Sequence, residues 1–372
     1  MNISIHRNIL SGPLAQVAKI ADSKSNIPIL AGVLFRTVDE GLLLMASDGK
    51  KWLKIIIPSE DFVTNSPGDI ILTAKDVSEV VARMPNGLIS IEVAEKELTN
   101  FASGRTKLSL IGMRGHQFAL PKEFEISQQI EIDGGVMRSM IKRTVFAIAK
   151  SQTSPMLTGV RVRRESGGIQ LAACDRNRAA IVHEQLEEEG EGFCAVISGE
   201  HLKEVADLLG DDIVTISVGS GAAKFQTGNL SFYANALDGE YPTQIDSLSK
   251  IKEQARSYLK SKHIIESLER ARITAGEDSG GTIVTLDISS SEIIVKSKSH
   301  LGNSVDWVET MKHSGTPLQL AFNDKKLLEA LKALGTENVL MRFGSAGPVI
   351  LSGGDEEDTT FFVGATRFVE GV

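Results

Sequence analysis

The residues that could carry chemistry are few and scattered. The seven histidines, His6, His116, His183, His201, His263, His300 and His313, include no two at metal-ligand spacing. Cys174 and Cys194 are the only cysteines, and Cys174 stands without a neighbouring His or Cys. Neither a disulfide framework nor a Cys-rich zinc site can be built from them, and both read as reduced thiols of a cytoplasmic protein. Gly219-Ser-Gly-Ala-Ala-Lys224 looks like a phosphate loop, but it joins two extended runs instead of opening a helix. A hairpin turn is the expectation there, and a turn likewise at Asp48-Gly49. No Ser/His/Asp or Cys/His order stands out. No metal, cofactor or catalytic residue is expected; a hydrolase or nucleotide-binding enzyme on this chain would need polar groups that converge only in space.

A second kind of chemistry is electrostatic. The net charge is −8, and equal thirds of the chain carry +1, −7 and −2. Within them the sign reverses locally: residues 7–24 carry +2, residues 138–150 carry +4 and residues 250–272 carry +4, leaving −18 on everything else. Such segregation makes one surface attractive to phosphate and the rest repulsive. Solvated helix faces are the competing explanation, as they are for the acidic runs Glu187-Glu-Glu-Gly-Glu191 and Asp355-Glu-Glu-Asp358.

These charges must be positioned by a repeated element. Residues Val77–Val93, shifted by 125 and again by 125, align without gaps on Leu202–Val218 and Leu327–Phe343. Seven columns are apolar in all three copies: Val77/Leu202/Leu327, Val80/Val205/Ala330, Val81/Ala206/Leu331, Met84/Leu209/Leu334, Ile89/Val214/Val339, Ile91/Ile216/Met341 and Val93/Val218/Phe343. The first four recur at i, i+3, i+4 and i+7, the spacing of one helix face, and the last three alternate as in a half-buried strand. Breakers separate the two parts, as in Pro85-Asn86-Gly87. The column Glu79/Glu204/Glu329 is identical and reads as surface.

A second helix opens each third, expected over Ile9–Ala21, Val136–Lys150 and Tyr258–Ile273, and the remainder is short strand-like runs with turns between them. Each third is therefore an α+β unit with two helices on antiparallel sheet. The 372 residues divide into domains at about 1–125, 126–248 and 249–372. No apolar run approaches the length a bilayer requires.

The three repeats, together with Asn26-Ile-Pro-Ile-Leu30, Ala173-Cys-Asp175 with Arg178, Leu237-Asp-Gly-Glu-Tyr-Pro242 and Phe322-Asn323, resemble the bacterial sliding clamp family, the beta subunit of DNA polymerase III. The resemblance runs the whole length of the chain. It implies a head-to-tail homodimeric ring whose helices line a hole around duplex DNA, held without base readout, and a peptide-binding cleft for the replicative polymerase, the clamp loader and repair proteins. A monomeric adaptor of the same fold is the alternative within this class.

By position, Lys24 matches a DNA contact, and Arg138, Lys142, Arg143, Lys150, Lys260 and Lys262 are the electrostatic candidates. Leu108 and Leu110 match one side of the dimer interface and Ile273 the other. The cleft falls on Leu157, Cys174, Arg176, Arg178, Pro242, Asn323, Pro348, Phe362, Val363 and Arg367. Departures from the family pattern cluster here. Arg176-Asn-Arg-Ala179 stands where many relatives have Gly-His-Arg-Leu, and Gly364-Ala-Thr-Arg-Phe368 where they have Met-Pro-Met-Arg-Leu. Two adaptable methionines are lost, and Arg176 should favour acidic or polar ligands.

Overall fold

A computed structural model of the chain describes residues 1–150, 154–165, 167–186, 190–275, 281–344, 347–354 and 358–367. The acidic runs over 187–191 and 355–358 lie partly outside the described residues, as does the chain from 368 onward. The chain folds into two compact units, residues 1–136 with 207–236, and residues 137–206 with 237–372. Six helices are described: α1 (Arg7–Ala18), α2 (Ala74–Arg83), α3 (Gly134–Val145), α4 (Gly199–Leu208), α5 (Ser261–Ala275) and α6 (Asp324–Leu334).

All four sheets are antiparallel. The first unit holds a five-stranded sheet in the order Phe62–Ser66, Asn2–His6, Leu88–Val93, Leu98–Ser103, Thr106–Ile111. Its eight-stranded sheet runs Ile126–Asp133, Ile213–Gly219, Ala222–Thr227, Leu230–Asn235, Lys51–Pro58, Gly41–Ser47, Gly32–Val38, Asp69–Thr73. The second unit holds a nine-stranded sheet, Phe193–Ser198, Gly159–Glu165, Gly168–Cys174, Arg178–Gln185, Thr359–Val363, Val349–Ser352, Asn338–Gly344, Glu253–Lys260, Lys312–Gly315. Its five-stranded sheet runs Gly302–Glu309, Glu292–Ser299, Ile283–Ile288, Leu318–Asn323, Ala365–Thr366.

The helix-turn-strand repeat stands where the spacing puts it: α2 before Leu88–Val93, α4 before Ile213–Gly219, α6 before Asn338–Gly344. The residues of its seven apolar columns are buried except Val80 and Val93, which are half-buried. The sequence reading missed the strands before the opening helices. Asn2–His6 alternates half-buried and buried residues, Ile126–Asp133 and Glu253–Lys260 bury every second residue over their later part, and each pairs with the repeat strand of its own third.

All three expected opening helices shift, and α1 covers Arg7–Ala18 where Ile9–Ala21 was expected. Tyr258 belongs to the strand, because Ala255, Ser257 and Leu259 are the buried members of a period-two run, so α5 starts at Ser261. At the other end, α3 stops at Val145, short of Lys150. Its last turn tightens through Ala147 N–H to Thr144 O at 3.1 Å, and Phe146 leaves the helical path to meet Phe361 edge-on at 4.8 Å. The Gly219–Lys224 stretch is a hairpin between two strands, with Gly221 at φ +71°. Among the described residues no helix is long and apolar enough to cross a membrane, and no His, Cys, Asp and Glu cluster could hold a metal.

Candidate functional site

The second unit contains a cavity of about 390 Å³ on one face of the nine-stranded sheet. Three segments build it. The turn Asp175–Arg178 joins two sheet strands; the 3₁₀ segment Thr243–Lys250 lies across the sheet; and Phe362, Gly364 and Pro348 close the far side. The 3₁₀ segment is held from below by Ile245, which packs with Ala172, Ala179, Ile181, Ile350 and Phe362 in one buried cluster. Charge ties it to the sheet as well. Asp246 accepts from both terminal nitrogens of Arg161, at 3.0 and 2.5 Å, and Arg161 is itself buried. That hydrogen bond holds the Asp246 carboxyl below the usual carboxylate range.

Of the expected cleft residues, Leu157, Cys174, Arg176, Arg178, Pro242, Pro348 and Phe362 line this cavity. Asn323, Val363 and Arg367 are not in its lining. Asn323 caps α6, its side-chain oxygen accepting from Lys326 N–H at 3.0 Å. Val363 is fully buried in its strand, and Arg367 is exposed beyond the last one. Asn177, Ala179 and Gly364, which belong to the segments where the sequence departs from the family pattern, also line it, whereas the sequence reading missed Gln244, Ile245 and Leu248. Ile245 and Leu248, three apart after Tyr241-Pro242, were the available signal for a short helical turn with an apolar side.

Asp175, Arg178, Arg176 and Cys174 are each hydrogen-bonded at the cleft. Asp175 Oδ1 accepts the backbone N–H of Asn177 and of Arg178, both at 3.1 Å, which folds the turn. Arg178 is buried. Its Nε donates to Asp175 Oδ2 at 3.0 Å, its Nη1 donates to Glu329 on α6, and its guanidinium lies 5.4 Å from the Phe146 ring centroid. It therefore fastens the turn to α6 with few donors left for a ligand. The member Glu329 of the identical column is half of that fastening. Arg176, by contrast, is exposed, sits at φ +76° where glycine is favoured, and donates to Ser154 Oγ at 3.0 Å. The Cys174 backbone N–H donates to the Tyr241 hydroxyl at 3.1 Å, and burial pushes the Cys174 thiol and the Tyr241 phenol up from their ordinary values. Burial thus favours the neutral thiol among the groups that line the cavity.

The cationic candidates divide by their partners. Lys24 on the loop after α1, Lys142 on α3 and Lys150 beyond it are exposed and have no ion pair among the described residues. Arg143 is half-buried and donates to Thr359 Oγ1 at 2.7 Å. Arg138 is half-buried on α3. Lys260 ends a strand and pairs with Glu337 at 2.6 Å, and Lys262 lies 3.7 Å from Glu266. Arg270 and Arg272 pair with Asp306 and Asp324, so the positive excess of the third opening segment is largely neutralised by its neighbours.

Two sheet edges are apolar and uncovered. Thr106–Ile111 is an edge strand with Leu108 and Ile111 exposed and Leu110 half-buried. In the second unit Ile273 on α5 is exposed, as are Val305 and Trp307 on the edge strand Gly302–Glu309.

Models of the DNA polymerase III beta subunit match the chain three times: the N-terminal domain over residues 1–121, the central domain over 131–243 and the C-terminal domain over 251–364. The chain belongs to the DNA polymerase III beta subunit family. Among its relatives, the beta sliding clamp of Bacillus subtilis (strain 168) is 28% identical over 369 residues, covering 96% of this chain and 97% of the relative. The crystal structure of the B. subtilis sliding clamp superposes with a TM-score of 0.94 at 27% identity, over 99% of this chain and all of that one. A Pseudomonas aeruginosa clamp bound to griselimycin shares the fold, with a TM-score of 0.92 at 23% identity over 99% of this chain. The three repeated α+β domains are thus those of the beta subunit family.

Proposed function

We propose that this chain is a DNA polymerase processivity factor: two copies close head to tail into a ring that encircles duplex DNA and tethers partner proteins through the cleft of the second unit. The match to all three beta subunit domains carries this reading. The ring holds DNA by topology, so its contacts need only be weak and independent of base sequence. Lys24, Lys142 and Lys150, exposed and without ion pairs among the described residues, are the principal phosphate contacts, with Arg138, Arg143, Lys260 and Lys262 adding to the local field. Ring closure joins the Leu108 edge of one copy to the Ile273 side of the other. The cleft is apolar enough to bury the anchor residues of a short linear peptide, and Arg176 at its mouth selects an acidic neighbour. Griselimycin bound to the P. aeruginosa clamp supports a ligand site on this fold.

The test is retention on nicked circular DNA after loading, followed by linearisation. Encirclement requires release on linearisation; equal binding to linear DNA sinks the reading. Reversing Lys24, Lys142 and Lys150 to Glu should reduce retention and flatten its salt dependence. At about 0.9 in the log–log slope per phosphate neutralised, loss of the three contacts in both copies of the ring removes about 5.4.

A further inference from the structure

The eight-stranded sheet of the first unit and the nine-stranded sheet of the second repeat one pattern, and their registers map onto each other. Tyr233 stands opposite Trp52 on one side and Lys224 on the other, as Phe362 stands opposite Ala179 and Ile350. Two residues earlier, Ser231 faces Lys54 as Thr360 faces Ile181. Lys54 therefore occupies the position of Ile181, Lys224 that of Ile350, and Tyr233 that of Phe362.

In the second unit these positions form an apolar floor, with Ile181, Ile350 and Phe362 at 8%, 4% and 2% exposure. In the first unit the same floor is cationic. Lys54 and Lys224 are both half-buried and line a hollow of about 290 Å³ with Tyr233, Gln226, Asn229 and Glu40. The Lys224 ammonium lies 5.6 Å from the Tyr233 ring centroid. Burial, and then the nearby Lys54 charge, lower its proton affinity. Neither lysine has a carboxylate partner among the described residues, and Glu40, which lines the same hollow, pairs with neither.

The fold does not demand this arrangement, since isoleucines fill the same positions of the sister sheet. Two half-buried like charges disfavour the empty hollow, and a bound dianion reverses the sign of that interaction. We propose that the hollow is a binding site for a phosphate-type dianion, with Lys54 and Lys224 taking its charge and the amides of Gln226 and Asn229 serving as neutral donors. The hollow, about 290 Å³, has room for one phosphate group and part of an ester body against the Tyr233 ring.

Calorimetric titration of the full chain at constant ionic strength tests this, with sodium phosphate in one arm and a nucleoside monophosphate in the other. One saturable site per chain is expected. Affinity should fall at least tenfold in K54I/K224I, which copies the floor of the sister sheet, and equally in K54Q/K224Q, which keeps the polarity and guards against repacking. Tighter binding of the monophosphate identifies a nucleotide resting on Tyr233, whereas equal affinities identify free phosphate; both support the site. Absence of saturable binding in both arms, or undiminished binding by both double variants, overturns it.

Discussion

Arg178→Ala separates a structural arginine from a ligand-binding one. The substitution removes a charge-assisted hydrogen bond to Asp175 at 3.0 Å, a second to Glu329, and the contact with the Phe146 ring. Each such bond is worth about 1.5–3 kcal/mol when shielded, and the ring contact about 1 kcal/mol. Two facts reduce the sum. Asp175 keeps Lys326 at 3.3 Å and two backbone N–H donors, so it is not stranded, and the Glu329 side chain is 35% exposed and rehydrates. The result should fall between an exposed pair at about 1 kcal/mol and a broken buried pair at about 3–5 kcal/mol, near 3 kcal/mol. For a unit of this size that lowers the melting temperature by about 6–12 °C. Glu329→Gln keeps a neutral acceptor and should cost about 1 kcal/mol. Thermal melts report the stability, and amide hydrogen exchange in the strand Arg178–Gln185 locates it. A fully stable Arg178→Ala variant that nevertheless loses peptide binding would refute the reasoning and make Arg178 a ligand contact.

Leu108→Asp or Ile273→Asp places a charge on an apolar edge proposed to join two copies, so the mass in solution should fall from about twice 40.1 kDa to one chain while the melting of each unit is kept. An unchanged mass would put the interface elsewhere. The Asp246 carboxyl titrates below its ordinary range because Arg161 hydrogen-bonds to it, so the folded state holds it more acidic than the unfolded state does. Its contribution is complete above the ordinary carboxylate range and disappears as pH falls through the depressed folded value. Asp246→Asn should therefore flatten the acid limb of the stability curve and loosen the cleft wall, read as weaker peptide binding at neutral pH.

Local periodicity made the repeat legible. Leu202, Val205, Ala206 and Leu209 share a helix face whatever surrounds them, and Ile89, Ile91 and Val93 alternate in any strand, so the α+β units follow from spacing alone. The short strands before the opening helices were missed because five to eight residues carry little periodic signal beside a strong helix face.

Tertiary structure decided which charged side chains are free. Arg178 and Glu329 are 151 residues apart in sequence, and Lys260 and Glu337 are 77 apart, yet each pair is in contact. No local pattern encodes such partners. The cleft has the same origin: Arg176, Ile245 and Phe362 meet because a turn, a 3₁₀ segment and a sheet strand converge, so its apolar interior and its single exposed arginine exist only after folding. Sequence thus determined the repeated unit, through forces acting within a few residues. Which cations remain without an ion pair among the described residues, and where an apolar side chain faces a cavity, depended on partners that only the folded sheets bring within reach.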